Sequence, residues 1–141
     1  MNRFGKTAFW GSSTLGRSMD TDIRALLHVA QAYFDAAYEM DADKFESVFD
    51  HTSHVTRVGE DGNVSVTPIE TWLTAVRNMK APKELGLELN DQILLIDVGR
   101  ELALLKLKFQ IPPRYFTDIL SCLKVKGTWK IVQKVMTVET R

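Results

Sequence analysis

The chain has 141 residues, 45% of them hydrophobic and 26% charged, with 18 basic and 18 acidic side chains and one cysteine. These values describe one domain with a real core, and zero net charge argues against general nucleic-acid binding. A single cysteine, Cys122, excludes an intramolecular disulfide and any cysteine metal cluster, and the sequence has no run of 18 apolar residues to span a membrane. A cytoplasmic protein is expected.

Residues 1–19 hold Arg3, Lys6 and Arg17, no acid, and a Gly/Ser cluster from Gly11 to Gly16. They read as a segment distinct from the domain at 20–141: a disordered tail, a docked arm pinned by Phe4, Phe9 and Trp10, an extension ahead of a start at Met19, or an organellar transit peptide.

From Asp20 the period becomes helical. Ile23, Leu26, Leu27, Ala30, Tyr33, Phe34 and Ala37 follow three-and-four spacing, and Asp20 or Thr21 can cap the start. Asp41 can cap a second, shorter helix that carries Phe45, Val48 and Phe49. Thr67-Pro68-Ile69-Glu70 has the form of a capping box with proline at the first helical position, opening a third helix with Ile69, Trp72, Leu73 and Val76 on its buried stripe. Between the second and third helices, 51–58 and Val64-Ser65-Val66 flank a Glu60-Asp61-Gly62-Asn63 turn and read as a short hairpin.

Four strands follow, at 86–98, 101–111, 114–125 and 128–138, with turns at Gly99-Arg100, Pro112-Pro113 and Lys126-Gly127. Helices first and then a meander predict an α+β domain, with helices on one face of an antiparallel sheet. In 101–111 the odd residues, Ala103 to Ile111, are wholly apolar, so one face is core. In 128–138 both faces carry apolar residues: Trp129, Ile131 and Val135 on one, Val132, Met136 and Val138 on the other. That predicts a covered outer face, and a homodimer through it.

The charges divide by position. Residues 1–70 hold six basic and eleven acidic side chains, residues 71–141 twelve and seven. The halves are either solvated faces or complementary surfaces.

The run Tyr33-Phe34-Asp35-Ala36-Ala37, then Asp41 and Phe45-Glu46-Ser47-Val48-Phe49, resembles the nuclear-transport-factor-2-like superfamily, which includes ketosteroid isomerase, scytalone dehydratase and SnoaL-type cyclases. Phe116-Thr117-Asp118-Ile119-Leu120 and 126–134 resemble its lumazine-binding-like subgroup. The resemblance implies a cone-shaped barrel, a curved antiparallel sheet wrapped around three helices, with a cavity open at one end. Laid on the ketosteroid isomerase motif, Tyr33 falls at the oxyanion tyrosine, Arg57 at the general base and Asp118 near the second acid. Arginine does not deprotonate in a protein, so that mechanism is not implied here.

The candidate ligand-binding residues are therefore Tyr33, Arg57, Trp72 and Asp118. Tyr33 is either a ligand donor or a core aromatic. Arg57, if inward with Ser53 and Val55, suits a carboxylate, phosphate or acidic heterocycle; one residue out of register, it is a surface side chain. Asp118 is either an inward acid or base, the candidate catalytic residue, or a cross-strand partner of Lys134. No metal is expected, because His51 and His54 are three apart in a strand and face opposite sides. No cofactor is expected either, since neither a phosphate loop nor a dinucleotide fingerprint is present. Cys122 reads as a small buried hydrophobe. The expected function is binding of a small hydrophobic or aromatic ligand, with cofactor-free isomerase, dehydratase or cyclase chemistry as its enzymatic form. The alternative is a non-catalytic association domain with a cone packed by its own side chains.

Overall fold

A computed structural model describes the backbone of residues 3–141 and side chains from Met19 onward. Helix α1 (Arg3–Glu39) begins ahead of Asp20 and Thr21, so neither stands at its start. With no proline before Pro68, nothing in the sequence forces a break there. The side chains of Phe4, Phe9 and Trp10, expected to pin an arm, lie outside the described residues. From Asp22 onward one face of α1 is buried, through Leu26, Val29, Ala30, Tyr33, Phe34 and Ala37. Val29 takes the core position expected of Leu27, which is exposed.

Helix α2 (Ala42–Val48) starts as expected: the Asp41 carboxylate accepts from the Lys44 N–H at 3.1 Å. Helix α3 (Ile69–Arg77) does not. Strand β1 (His54–Val58) pairs with β2 (Val64–Pro68) out to His54↔Pro68, so Thr67 belongs to the ladder and Pro68 is the cap, with no side-chain cap bond. The Ile69 N–H instead donates to the Ser53 carbonyl at 2.9 Å. A strand that runs directly into the helix displaces the capping box. Ile69, Leu73 and Val76 still form the buried stripe, each contributing about 1.5–3 kcal/mol.

The remaining strands are β3 (Gln92–Val98), β4 (Leu102–Ile111), β5 (Arg114–Val125) and β6 (Thr128–Thr140). The six form one sheet in the order β2-β1-β6-β5-β4-β3, with the helices on its concave face. All neighbours are antiparallel except β1 and β6, which run parallel through Val55↔Lys134 and Thr56↔Val135. The sheet is thus mixed, a correction to the antiparallel sheet expected. The expected strand at 86–98 begins only at Gln92. Between β5 and β6, Lys126 (φ 50°) and Gly127 (φ 81°) both adopt the left-handed conformation that a two-residue hairpin requires.

Strand β6 explains its own two-sided pattern. Cys122 pairs with Ile131 and Ser121 with Gln133, so Val132 is an extra residue, a β-bulge. Before it the odd residues Trp129 and Ile131 point into the core; after it Lys134 and Met136 do, while Val135 is exposed. Apolar residues on both parities come from this switch of face and do not require a covered outer side. At the bulge the Ile131 carbonyl accepts from the Asp50 N–H (2.8 Å) and the Ser53 hydroxyl (2.7 Å), which ties the segment entering β1 to β6.

Candidate functional site

The bulge turns Lys134 inward. On the adjacent strand β5 the inward set is Asp118, Leu120 and Cys122, all fully buried. Asp118 pairs in register with Met136, which sets Lys134 on its diagonal, and the Lys134 Nζ lies 3.4 Å from Asp118 Oδ2. From α1, the Tyr33 hydroxyl donates a short hydrogen bond to the same oxygen. The other oxygen, Oδ1, is buried without a partner among the described residues. Of the two alternatives offered for Asp118, the geometry is that of the cross-strand partner of Lys134, with the carboxylate facing inward.

Burial dominates the electrostatics. It raises the Tyr33 phenol well above 10, and the neighbouring Asp118 charge adds to this. It pulls the Lys134 ammonium below its ordinary value, against the opposing pull of Asp118. Aromatic faces offset part of that desolvation: the Lys134 Nζ stands 4.3 Å from the Trp72 ring centroid and 5.3 Å from that of Tyr33.

Above this group lies a cavity of about 420 Å³, within the range of small-molecule sites. Its walls include Tyr33, Phe45 and Trp72 from the helices, and Phe109, Phe116 and Met136 from the sheet. The Phe109 and Phe116 rings stack at 4.9 Å with 10° between planes. Tyr33, Trp72 and Arg57 share one cavity. Arg57 shares its strand face with Val55 but is exposed and marks the mouth; its Nε donates to the Val58 carbonyl at 3.4 Å. Asp118 does not line the cavity. It lies behind Tyr33 and Lys134, which do, a correction to its placement as a ligand contact.

Sequence reasoning missed Lys134 as a cavity residue. Strict alternation gave it no distinct face, and nothing local marks an extra residue at Val132. Arg114, Phe109 and Phe116 were also missed, although Phe109 belongs to the apolar odd set of β4. Cys122 is buried as expected, and desolvation raises its thiol to about 12, which keeps it protonated at neutral pH. Among the described residues no three His, Cys, Asp or Glu side chains converge to hold a metal ion, and no helix is long and apolar enough to cross a membrane.

The fold and the cavity define a cone of the nuclear-transport-factor-2-like type, an α+β half-barrel closed over one face by helices. The family model described as "Putative lumazine-binding" matches residues 21–137, and the chain belongs to that family. No curated protein matches it in sequence. Among solved structures it is similar to a nuclear-transport-factor-2-like protein of unknown function from Shewanella baltica (22% identity, 86% of this chain and 96% of that one, TM-score 0.78). A second, from Silicibacter pomeroyi, has 20% identity over 86% and 98% of the two chains, with TM-score 0.76. A ketosteroid isomerase-like protein from Erwinia carotovora atroseptica is 10% identical over 84% and 96%, TM-score 0.64. At these identities the likeness is one of fold.

Proposed function

We propose that this domain binds a small aromatic or hydrophobic molecule in its cone, with Tyr33, Trp72 and Arg57 as contacts and Asp118 holding Tyr33 and Lys134 in place. The observation that carries the reading is the cavity itself: a cone serving only association would be filled by side chains, and this one keeps about 420 Å³ between aromatic walls. The family's description directs the first ligand trials to lumazine and related pterins. The same geometry suits acid–base chemistry of the isomerase, dehydratase or cyclase kind, with the Lys134 ammonium as the group a substrate would meet. We place the protein in the cytoplasm.

Mass spectrometry of small molecules that co-purify with native protein, with thermal shifts across aromatic acids and pterins, tests the reading. A bound species and a shift that Trp72→Ala removes are expected. No bound species and no shift would overturn it.

Association is the second reading, on a separate observation. Leu95, Leu102, Leu123, Val125 and Val135 stand on the sheet face away from the helices, each between 38% and 60% exposed. We propose that this face forms a homodimer. Sedimentation at micromolar concentration should show twice 16.0 kDa; a single monomeric species would overturn it.

A further inference from the structure

The cavity wall is apolar over most of its area, and its charges sit at two ends. At the deep end the Lys134 side chain is 4% exposed and its ionic partner Asp118 is 3.4 Å away. An ammonium carries three donors, and among the described residues Lys134 has no other hydrogen-bonding partner. At the mouth stand Arg57 and Arg114, both exposed and neither ion-paired among the described residues. Among the described residues Glu60 is the one carboxylate on the wall. With Asp118 behind Lys134, a single positive charge remains, and it lies toward the mouth.

Each end selects differently. Asp118 already neutralises Lys134, so net charge is not the discriminating force there. A desolvated ammonium with unused donors instead rewards a strong acceptor and rejects an apolar isostere. The two guanidiniums at the mouth are planar, permanently charged and suited to a carboxylate or phosphate, and their field steers anions inward. The stacked Phe109 and Phe116 rings, with Trp72 on the helix side, suit a flat ring system.

We propose that the cavity selects a flat aromatic dianion, with one acidic oxygen on Lys134 at the deep end and a second acidic group at the Arg57 and Arg114 end. This rests on the cavity being a ligand site, and deepens it by naming the ligand's class and polarity.

The test uses three probes of one shape, 2,6-naphthalenedicarboxylate, 2-naphthoate and 2-naphthamide, titrated against the full chain by calorimetry. Affinity should fall about tenfold or more at each step from diacid to monoacid to amide. The double variant Lys134→Met with Asp118→Asn leaves no unpaired buried charge and so remains foldable; combined with Arg57→Gln and Arg114→Gln, which take the acid-binding mouth away, it should make monoacid and amide bind alike. Arg57→Gln with Arg114→Gln should remove the advantage of diacid over monoacid and its salt dependence. Equal binding of all three probes to the wild-type chain would overturn the dianion proposal while leaving the cavity reading intact. Acid preference lost only in the arginine variant would overturn the role of Lys134. Binding of none would overturn both readings.

Discussion

Two clusters built from the same three elements, α1, β5 and β6, each joining an aspartate to a lysine and an aromatic donor, have opposite characters. In the first, Asp22 of α1 accepts from Trp129 Nε1 of β6 at 3.0 Å and pairs with Lys124 Nζ of β5 at 2.8 Å. In the second, Asp118 of β5 accepts from the Tyr33 hydroxyl of α1 and pairs with Lys134 of β6. Asp22 and Tyr33 are eleven residues apart, about 16 Å along the helix. The Lys124 side chain is 31% exposed, so its spare donors meet water. Those of Lys134 meet a cavity, and one oxygen of Asp118 meets nothing. The first cluster is a satisfied clamp that holds α1 against the sheet; the second is unsatisfied where a ligand would sit. Both join an aspartate to a lysine, and what lies beyond the lysine makes the difference.

The most direct way to break this contrast is to remove one buried ion. Lys134→Met alone should destabilise the fold by about 3–5 kcal/mol, because Asp118 is left charged and unpaired; the double variant with Asp118→Asn should recover much of that, read by denaturant melts. Tyr33→Phe removes a hydrogen bond to a buried charge and should cost about 1.5–3 kcal/mol. In the clamp, Lys124→Gln leaves Asp22 with Trp129 and removes only a partly exposed ion pair, so it should cost at most about 1 kcal/mol. If Lys124→Gln proved as costly as Lys134→Met, the distinction between the clusters would fail.

Titration sharpens the contrast. The Lys124 hydrogen bond, with that of Trp129, holds the Asp22 carboxyl below the usual carboxylate range. A lowered folded value contributes stability that is present above about pH 4 and lost as pH falls through that lower value. Asp22→Asn should therefore flatten the acid limb of stability against pH. Tyr33 is the reverse: its folded value is raised, so its contribution is present below about pH 10 and lost as pH rises beyond. Tyr33→Phe should flatten the alkaline limb, and in ultraviolet titration of the native wild-type chain Tyr33 should ionise only on unfolding. Smallest of all, Arg57→Gln should change stability by less than about 0.5 kcal/mol, because the side chain is exposed at the mouth.

Most of the strand boundaries could be read in advance because turn chemistry is local: Pro112-Pro113 and Lys126-Gly127 carry turn residues, and each pair lies between two strands. The Asp41 cap was legible for the same reason, a bond across three residues. Thr67 misled because the same local signal competed with a ladder to His54, a contact sequence spacing does not report. Within the site, Tyr33 and Trp72 were legible from helical period. Lys134 was not, since its direction depends on one extra residue in a strand.

What the sequence determined by itself is the order of elements, the apolar face of each helix, the core face of β4 and the family to which they belong, all properties of neighbouring residues and their period. The tertiary structure alone decided which way β6 faces after Val132, and so that Lys134 enters the cone, Val135 leaves it, and Asp118 sits behind the cavity wall. The physical reason is that strand alternation has a period of two, so one bulge held by the Ile131 carbonyl reverses every side chain after it.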